Sequence, residues 1–321
     1  MLALAKQIIE GRRLTKEDDL ACLLNADLEE LCKGADNIRR ELCGNKVDLC
    51  SIINGRGGRC SENCKFCAQS SHYRTHCEEY GFLDMKDIME GCSHASEQGI
   101  NRYSIVTAGR SIEGEDLNKA VESYRAMHEA YPDMILCASH GLMKQEDLKR
   151  IKDAGVTMYH ANVETSESFF SEICTTHTYK DKLEEIRMAS EAGLEICSGG
   201  ILGMGESWQD RLDMALALAQ LQVVSIPLNF LKPIPGTPLE NREILNTDEI
   251  IRIVAIFRYS NPTAYIRIAA GRNYFTDGGK VLFEAGANAA LTGDMLTTVG
   301  NNTTQDREML ENLGFQLKEK R

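Results

Sequence analysis

The sequence contains no hydrophobic run long enough for a membrane-spanning helix, which needs about 20 mostly apolar residues. It also has no excess of basic charge, because 48 acidic side chains outnumber 36 basic ones and give a formal net charge of -12. Clustered Lys and Arg are what bind phosphate backbones and anionic lipid. We therefore expect neither nucleic acid nor a membrane surface as a partner.

The N-terminus lacks the basic stretch, apolar run and small-residue cleavage site of a secretory signal. We therefore expect a cytoplasmic protein. Twelve cysteines are present, and without a secretion signal they argue against a disulfide framework, because reducing compartments keep thiols free for metals or catalysis. No proline- or serine-rich linker interrupts the chain, which favours one main domain.

Helices are predicted before the first strand. Leu20, Leu23 and Leu24 belong to an apolar pattern of helical spacing that runs to about residue 43. Short apolar runs then alternate with longer amphipathic stretches. The eight runs predicted as strands are 47–53, 102–107, 134–138, 157–163, 195–199, 225–230, 264–269 and 288–291. This alternation predicts an α/β fold, a (β/α)8 TIM-type barrel at 46–321 with an N-terminal helical cap at 1–45. Two three-layer α/β domains are the alternative.

Three cysteines lie on the loop after the first predicted strand, where barrel enzymes keep their active sites. Cys60, Cys64 and Cys67 form a Cys-x3-Cys-x2-Cys motif, and thiolates so close together suit an iron–sulfur cluster or zinc. A structural zinc site would close with a fourth protein ligand, whereas three ligands leave one iron of a cluster open. The alternatives are three unconnected thiols, or a zinc loop completed by His72, His76 or Cys77.

A second group of cysteines falls on predicted strands. Side chains inside such barrels stack in layers drawn from alternate strands, and strands 1, 3, 5 and 7 here carry Cys50, Cys137, Cys197 and Arg267. An arginine in a dry interior must meet a buried anion, which a sulfide-rich cluster would supply. The alternative is that each cysteine is a small buried hydrophobe. That packing role is what we expect for the other thiols, Cys22, Cys32, Cys43, Cys77, Cys92 and Cys174.

From about Val47 to Leu313 these motifs resemble the biotin synthase family. The resemblance rests on segments 58–71, 162–166, 197–206, 236–239 and 265–272. It implies a radical S-adenosylmethionine (SAM) enzyme whose loop cysteines bind a [4Fe-4S] cluster that cleaves SAM to methionine and a 5′-deoxyadenosyl radical. The radical removes hydrogen from dethiobiotin, and sulfur from a second iron–sulfur cluster enters the product, biotin.

The resemblance also implies roles for single residues. Phe66 fits the aromatic position of the cluster loop, and Asn162 and Glu164 would contact SAM, with Glu164 standing where the family usually has Asp. The turn that admits adenine is matched by Gly199, Ile201, Gly203 and Glu206. The positions that hold dethiobiotin are matched by Asn162, Asn229, Thr297 and Thr298. Flavodoxin or ferredoxin as electron donor, iron–sulfur assembly proteins and a homodimer are implied in the same way.

The sequence departs from the family at one position. Ser104 stands on the second strand where the family usually has a cluster-binding Cys, while Cys50 occupies a first-strand position that is commonly Ser. Our hypothesis is that Cys50, Cys137 and Cys197 bind the second cluster, with Arg267 beside it, as [2Fe-2S] or a larger cluster. The rival functions are another radical SAM barrel enzyme, such as a maturase, and a non-catalytic iron–sulfur or zinc module, which would not cleave SAM.

Overall fold

The computed structural model describes residues 1–293 and 302–317. Three helices precede the first strand, as predicted: α1 (Leu2–Ile9), α2 (Ala21–Asn25) and α3 (Leu28–Cys43). The side chain of Asp27 caps α3 by accepting a hydrogen bond from the backbone N–H of Glu30. Gly44 ends the helix at a φ of 68°, a conformation that favours glycine.

In the described part of the chain, nine strand segments follow in the barrel. They are β1 (Asp48–Arg56), β2 (Arg102–Thr107), β3 (Ile135–Ser139), β4 (Met158–His160), β5 (Glu195–Cys197), β6 (Gly200–Leu202), β7 (Ser225–Phe230), β8 (Tyr265–Ile268) and β9 (Ala289–Leu291). For the strands at 102–107 and 225–230, the predicted bounds agree with those observed. The run at 157–163 is shorter than predicted, because only its first half pairs with both neighbours before the chain turns into a loop.

The predicted strand at 195–199 is interrupted rather than continuous. Both β5 and β6 pair with β7, and the register is kept across the break, since Cys197 faces Ser225 and Gly200 faces Leu228. The two segments therefore make up one barrel strand. The other neighbours in the barrel pair in parallel in the order β5, β4, β3, β2, β1, β9, β8 and β7. Eight strands therefore close into the barrel that the sequence predicts.

Helices of the βα units surround the strands. They are α4 (Met85–Glu97), α5 (Gly114–Ala130), α6 (Gln145–Asp153), α7 (Phe170–Ile173), α8 (Tyr179–Glu191), α9 (Trp208–Gln220), α10 (Thr247–Ser260), a 3-10 turn (Arg272–Tyr274), α11 (Lys280–Glu284) and α12 (Thr303–Asn312). Capping boxes begin α8, α9 and α10, where a Thr, Ser or Asn side chain and an acidic side chain three residues later exchange hydrogen bonds with the backbone. No helix within the described residues is long and apolar enough to cross a membrane.

The N-terminal helices pack on the outside of the barrel. Their buried apolar face contacts α9 through Leu212 and α10 through Ile256 and Tyr259. A Cβ at Gly34 of α3 would lie 1.8 Å from the Tyr259 hydroxyl, so the absence of a side chain at Gly34 permits this close approach. The division of the chain into a segment 1–45 and a barrel 46–321 stays a prediction.

Candidate functional site

The cysteine loop after β1 is fixed by its own backbone. The N–H of Cys60 donates to the carbonyl of Gln69 (2.9 Å), and the N–H of Ser71 donates back to the carbonyl of Cys60 (2.8 Å). The buried side-chain oxygen of Gln69 accepts from the N–H of Gly58 (3.1 Å) and from Asn54 (3.2 Å). These bonds close the loop on itself and hold its thiols at the barrel mouth.

The three loop thiols are half-buried and line one cavity. Burial raises the pKa of Cys67 to about 11. Among the described residues, metal-binding atoms come within 4.8 Å of one another in a group of three only at Cys64, Cys174 and His177. The sulfurs of Cys60, Cys64 and Cys67 therefore do not converge on a single ion, which disfavours a zinc loop and suits ligands of separate irons.

The fourth ligands of the zinc alternative are engaged elsewhere or lie outside such a group. A ring nitrogen of His72 lies 3.0 Å from the Ser61 carbonyl oxygen, and the Cys77 sulfur lies 3.6 Å from the Glu78 carbonyl oxygen. Neither these two residues nor His76 joins a loop cysteine in a three-ligand group within the described chain.

Phe66 forms part of the cavity wall together with Ile201. Both side chains pack against a buried apolar cluster of Ile173, Met204 and Leu231. The position fits the predicted role of Phe66 beside a bound cofactor, and it also gives the loop an apolar anchor.

Cys50, Cys137 and Cys197 are buried in the barrel interior and line the same cavity as the loop thiols. Burial raises the pKa of the Cys50 thiol to about 11 and also raises those of Cys137 and Cys197. Arg267 is buried beside them and lines this cavity too. The structure thus brings together the four residues that the layer argument selected from four different strands.

The buried anion next to Arg267 is Asp48, which the sequence reading missed. The Arg267 Nη2 atom lies 2.5 Å from Asp48 Oδ1, and the Arg102 Nε atom lies 2.8 and 2.9 Å from the two oxygens of that carboxylate. The side chains of all three residues are at most 6% exposed. In the described part of the chain one carboxylate therefore serves two guanidinium groups, which leaves this level of the interior with an excess of positive charge.

Ser104 faces the interior, as a cluster-binding Cys at this position would. It pairs with Cys137 across β2 and β3 and with Ile52 across β1 and β2, and it lines the cavity. Cys50 lies on the neighbouring strand, two residues from Ile52, and lines the cavity as well. On this interior surface, β2 therefore has Ser104 in place of a thiol, while the neighbouring strand β1 carries the thiol of Cys50.

Asn162 and Glu164 stand at the mouth of the barrel after β4. Asn162 donates to a Glu164 oxygen (3.2 Å) and accepts from the N–H of Gly199 (3.0 Å). Glu164 has a φ of 68°, unusual for a residue with a side chain, and its carbonyl accepts from the N–H of Ile201 (2.9 Å). Burial raises the pKa of the Glu164 carboxyl to about 7.

The glycine-rich segment after β5 has a packing role that the sequence reading did not foresee. A Cβ at Gly199 would lie 2.0 Å from the Pro227 carbonyl oxygen, so the lack of a side chain there lets two strands approach. Gly203 has a φ of 97°, and the buried carboxylate of Glu206 accepts from the N–H groups of Gly203, Met204 and Gly205. Glu206 therefore shapes the turn from within, with Arg211 as its ion-pair partner at 2.8 Å.

The predicted substrate residues are only partly within the described chain. Asn229 on β7 lines the cavity, and its amide donates to the Gly200 carbonyl (3.2 Å). Thr297 and Thr298 lie outside the described residues.

Several residues of the site were missed. Cys174, expected to be a packing residue, lies with its sulfur 3.7 Å from that of Cys64 and 3.3 Å from the Nδ1 atom of His177. The Cys-x2-His spacing of Cys174 and His177 was the signal available in the sequence. His160, whose Nδ1 atom lies 3.4 Å from the Cys197 sulfur, and Lys182 also line the cavity, but neither belongs to a motif.

The two groups of thiols line one partly open cavity. The cavity has a volume of about 390 Å³ and extends from Cys60, Cys64 and Cys67 at the mouth to Cys50, Cys137 and Cys197 inside. Apolar surface dominates its wall, and the charged groups along it are Glu62, Arg102, Arg110, Glu164, Lys182 and Arg267. This arrangement allows a group bound at the loop and a group bound in the interior to face one substrate.

Comparisons with known proteins cover nearly the whole chain. A radical SAM superfamily model matches residues 56–218, and a biotin and thiamin synthesis associated domain model matches residues 227–316. The chain is 58% identical over 317 residues to the biotin synthase of Clostridium beijerinckii, covering 99% of this chain and 100% of that protein. It is also 58% identical over 314 residues to the biotin synthase of Alkaliphilus metalliredigens, covering 98% of each.

Solved structures support the fold independently. A methylornithine synthase aligns with a TM-score of 0.85 at 22% identity, covering 99% of this chain and 98% of that one. The [FeFe]-hydrogenase maturase of Carboxydothermus hydrogenoformans aligns with a TM-score of 0.80 at 17% identity, covering 97% of this chain and 78% of that one. At such low identity these similarities show the barrel fold alone.

Proposed function

The chain belongs to the biotin synthase family of radical SAM enzymes, and we propose which of its residues carry out the sulfur insertion of that family. The loop thiols Cys60, Cys64 and Cys67 hold a [4Fe-4S] cluster, and Cys50, Cys137 and Cys197 hold a second iron–sulfur cluster. One observation carries the proposal: both groups of thiols line a single cavity of about 390 Å³.

The loop fits its cluster by donor type and spacing. The three thiols are held by a hydrogen-bonded loop, and their sulfurs do not converge on one ion. A cluster held there would supply the electron for reductive cleavage of SAM, the chemistry that the family uses to remove hydrogen from dethiobiotin. Phe66 and Ile201 give this part of the cavity an apolar wall.

The interior fits an anionic group. Arg102 and Arg267 share the single carboxylate of Asp48, so a cluster bound by three thiolates would balance the remaining positive charge. Arg267 is fixed by the carbonyl oxygens of Asp48 and Ala290, at 3.2 and 3.0 Å, and thereby faces the thiols in one orientation. Cys50 takes the place of the thiol that Ser104 lacks, and the second cluster is of the [2Fe-2S] type or larger.

SAM and dethiobiotin are proposed to bind between the two thiol groups. Glu164 and Asn162 lie at the mouth, where the ionised carboxylate of Glu164 can accept from ribose hydroxyls. Gly199, Gly203 and Glu206 shape the turn that carries Ile201. Asn229 contacts dethiobiotin together with Thr297 and Thr298. A flavodoxin or ferredoxin donor, iron–sulfur assembly proteins and a homodimer complete the proposal.

An anaerobic assay of the reconstituted full chain tests the function. With SAM, a reductant and dethiobiotin, we expect 5′-deoxyadenosine and biotin, with loss of cluster sulfide as biotin forms. SAM cleavage without biotin would overturn the sulfur-insertion assignment, and intact SAM on protein with a full iron content would overturn the role of the loop cluster.

The ligand set of the interior cluster is tested by moving one thiol. Cys50→Ser should remove the spectrum of the second cluster and biotin formation while SAM cleavage continues. A Cys50→Ser, Ser104→Cys double variant provides the matched control, because it returns a thiol to the neighbouring strand of the same surface. An unchanged iron and sulfide content in Cys50→Ser would exclude Cys50 as a ligand.

A further inference from the structure

Cys174 and His177, to which the proposed sulfur insertion gives no role, form a compact group with Cys64. The potential ligand atoms of the three residues lie within 4.8 Å of one another, and no other set of three within the described residues does so. Cys174 is only 3% exposed, at the end of α7, and His177 lies on the short connection to α8. The group therefore joins the cysteine loop to a different part of the chain.

The spacing of these atoms fits one tetrahedral cation. The sulfurs of Cys64 and Cys174 are 3.7 Å apart. Two Zn–S bonds of about 2.3 Å at the tetrahedral angle place their sulfurs about 3.8 Å apart. Ligands of separate irons in a cubane cluster lie farther apart, because each sulfur is bound to its own iron. Cys174 is thus placed to share an ion with Cys64 rather than to serve as a fourth cluster ligand.

His177 lies between the Cys174 thiol and a carboxylate. Its Nδ1 atom lies 2.6 Å from the Glu62 carboxylate, which Arg110 holds at 3.1 Å. The Cys174 sulfur lies 3.3 Å from Nδ1 and 3.8 Å from Nε2, and because Glu62 engages Nδ1, Nε2 is the nitrogen left for a metal. A carboxylate that fixes the second ring nitrogen is the usual support of such a ligand.

The surroundings hold the ligands in place before any cation arrives. The side-chain oxygen of Asn63 accepts from the N–H groups of Thr175 and Thr176, at 2.9 and 3.2 Å, and so ties the cysteine loop to the segment after Cys174. The N–H of Lys65 donates to the Ile173 carbonyl (2.9 Å) from the other side. Cys64 and Cys174 therefore stay close without the help of a bound ion.

We propose that Cys64, Cys174 and His177 bind one divalent cation of the zinc or ferrous class while the loop cluster is absent. Two thiolates and one imidazole match the donor preference of these ions and leave a fourth position for water. Bound in this way, both thiols are protected from oxidants until cluster assembly. The claim that the cation and the loop cluster exclude each other rests on the proposed role of Cys64 in the cluster. The binding of the cation does not depend on that role.

Cobalt titration of a chain that cannot build either cluster tests the site. The full-length Cys50→Ser, Cys60→Ser, Cys67→Ser variant keeps all three proposed ligands and is titrated anaerobically with Co²⁺. We expect one equivalent to bind with tetrahedral d–d bands and thiolate-to-cobalt charge transfer, and Zn²⁺ to displace it. Because no cluster forms in this chain, the result does not depend on whether the wild-type chain makes biotin.

Further substitutions on this background identify the ligands. Cys174→Ala and His177→Ala should each abolish stoichiometric binding, and Glu62→Gln should weaken it about 10- to 100-fold. Cys92→Ala is the control, because this buried thiol lies on α4 outside the group. No Co²⁺ binding in the parent variant, or full binding in Cys174→Ala, would overturn the proposal.

Thiol protection in the unsubstituted cluster-free chain gives a readout that needs no variant. Zn²⁺ should slow alkylation of Cys64 and Cys174 together, as located by peptide mass spectrometry, while the exposed Cys22 stays reactive. Equal alkylation of the half-buried Cys64 with and without Zn²⁺ would contradict the site.

Discussion

The cysteine loop and the barrel interior present thiols to one cavity in two different ways. The loop collects three half-buried cysteines within eight residues, Cys60 to Cys67, and hydrogen bonds inside the loop hold them. The interior collects three buried cysteines from strands spread over about 150 residues of sequence, and only barrel closure and strand register bring them together. The loop is thus a local motif, whereas the interior site is a property of the whole fold.

This difference matches the chemistry proposed for each region. The loop leaves its ligands partly exposed and close to Glu62, Cys174 and His177, so a bound group there can meet SAM and assembly partners. The interior surrounds its thiols with the charges of Asp48, Arg102 and Arg267, which fix the site electrostatically. Changes in the loop should therefore act on SAM cleavage, and changes in the interior on sulfur insertion and on stability.

The largest effect is expected from removing one loop ligand. Cys67→Ser should lose the [4Fe-4S] spectrum and reduce 5′-deoxyadenosine formation to background, because two thiolates cannot hold the cluster, while the interior cluster remains. Iron and sulfide analysis with EPR spectroscopy measures both the loop cluster and the interior cluster. Cys77→Ser is the matched control, since this thiol lies beside the loop and contacts the Glu78 carbonyl. Loss of the cluster in that control would instead support the zinc-type loop with Cys77 as a ligand.

The electrostatic support of the interior is tested at Asp48. Asp48→Asn leaves two buried guanidinium groups facing a neutral amide, so the free energy of unfolding of the cluster-free chain should fall by about 3 to 5 kcal/mol. Urea unfolding measures the change. Asp116→Asn, which breaks the more exposed pair with Arg56, should cost less than about 1 kcal/mol. Equal losses in the two variants would show that the interior charges do not support the fold in the way proposed.

Glu164 lies where the cysteine loop and the barrel interior meet, and its contribution to the free energy of unfolding depends on pH. Because burial raises its pKa from an ordinary value near 4.5 to about 7, the folded chain binds this proton more tightly than the unfolded chain. The carboxyl therefore costs stability progressively as pH rises from about 4.5 to about 7. Glu164→Gln should remove this contribution, and urea unfolding at pH 5 and pH 8 should show a smaller loss with rising pH than in the wild type. Glu164→Asp keeps a titrating group and serves as the control.

The smallest effect is expected on the outer side of the loop. Arg59 is 81% exposed and pairs with the exposed Glu79 at 2.5 Å. Arg59→Ala should change the free energy of unfolding by less than about 1 kcal/mol, because solvent screens such pairs. The reconstituted variant should keep the loop cluster in its EPR spectrum. Loss of that spectrum would show that the loop depends on more than the internal hydrogen bonds described for Gln69.

Much of the fold and part of the site were predictable because they depend on local signals. Strand–helix alternation predicted the eight-stranded barrel, and the motif of Cys60, Cys64 and Cys67 predicted a metal-binding loop. The break between β5 and β6 was not predicted, because the pairing with β7, where Gly199 lies close to Pro227, is not visible in the local sequence pattern. The N-terminal helices were predicted, but their packing on α9 and α10 required the tertiary structure.

The sequence by itself predicted which residues carry the chemistry of the family, since the spacing of the loop cysteines and the positions of the strand cysteines can be read along the chain. It also determined that a buried arginine at position 267 needs an anion, because desolvation of an unpaired charge is too costly. Only the tertiary structure decided that Asp48 is that anion and that Cys174 and His177 meet Cys64. These contacts join segments far apart in sequence, and chain geometry fixes such distances only after the barrel has closed.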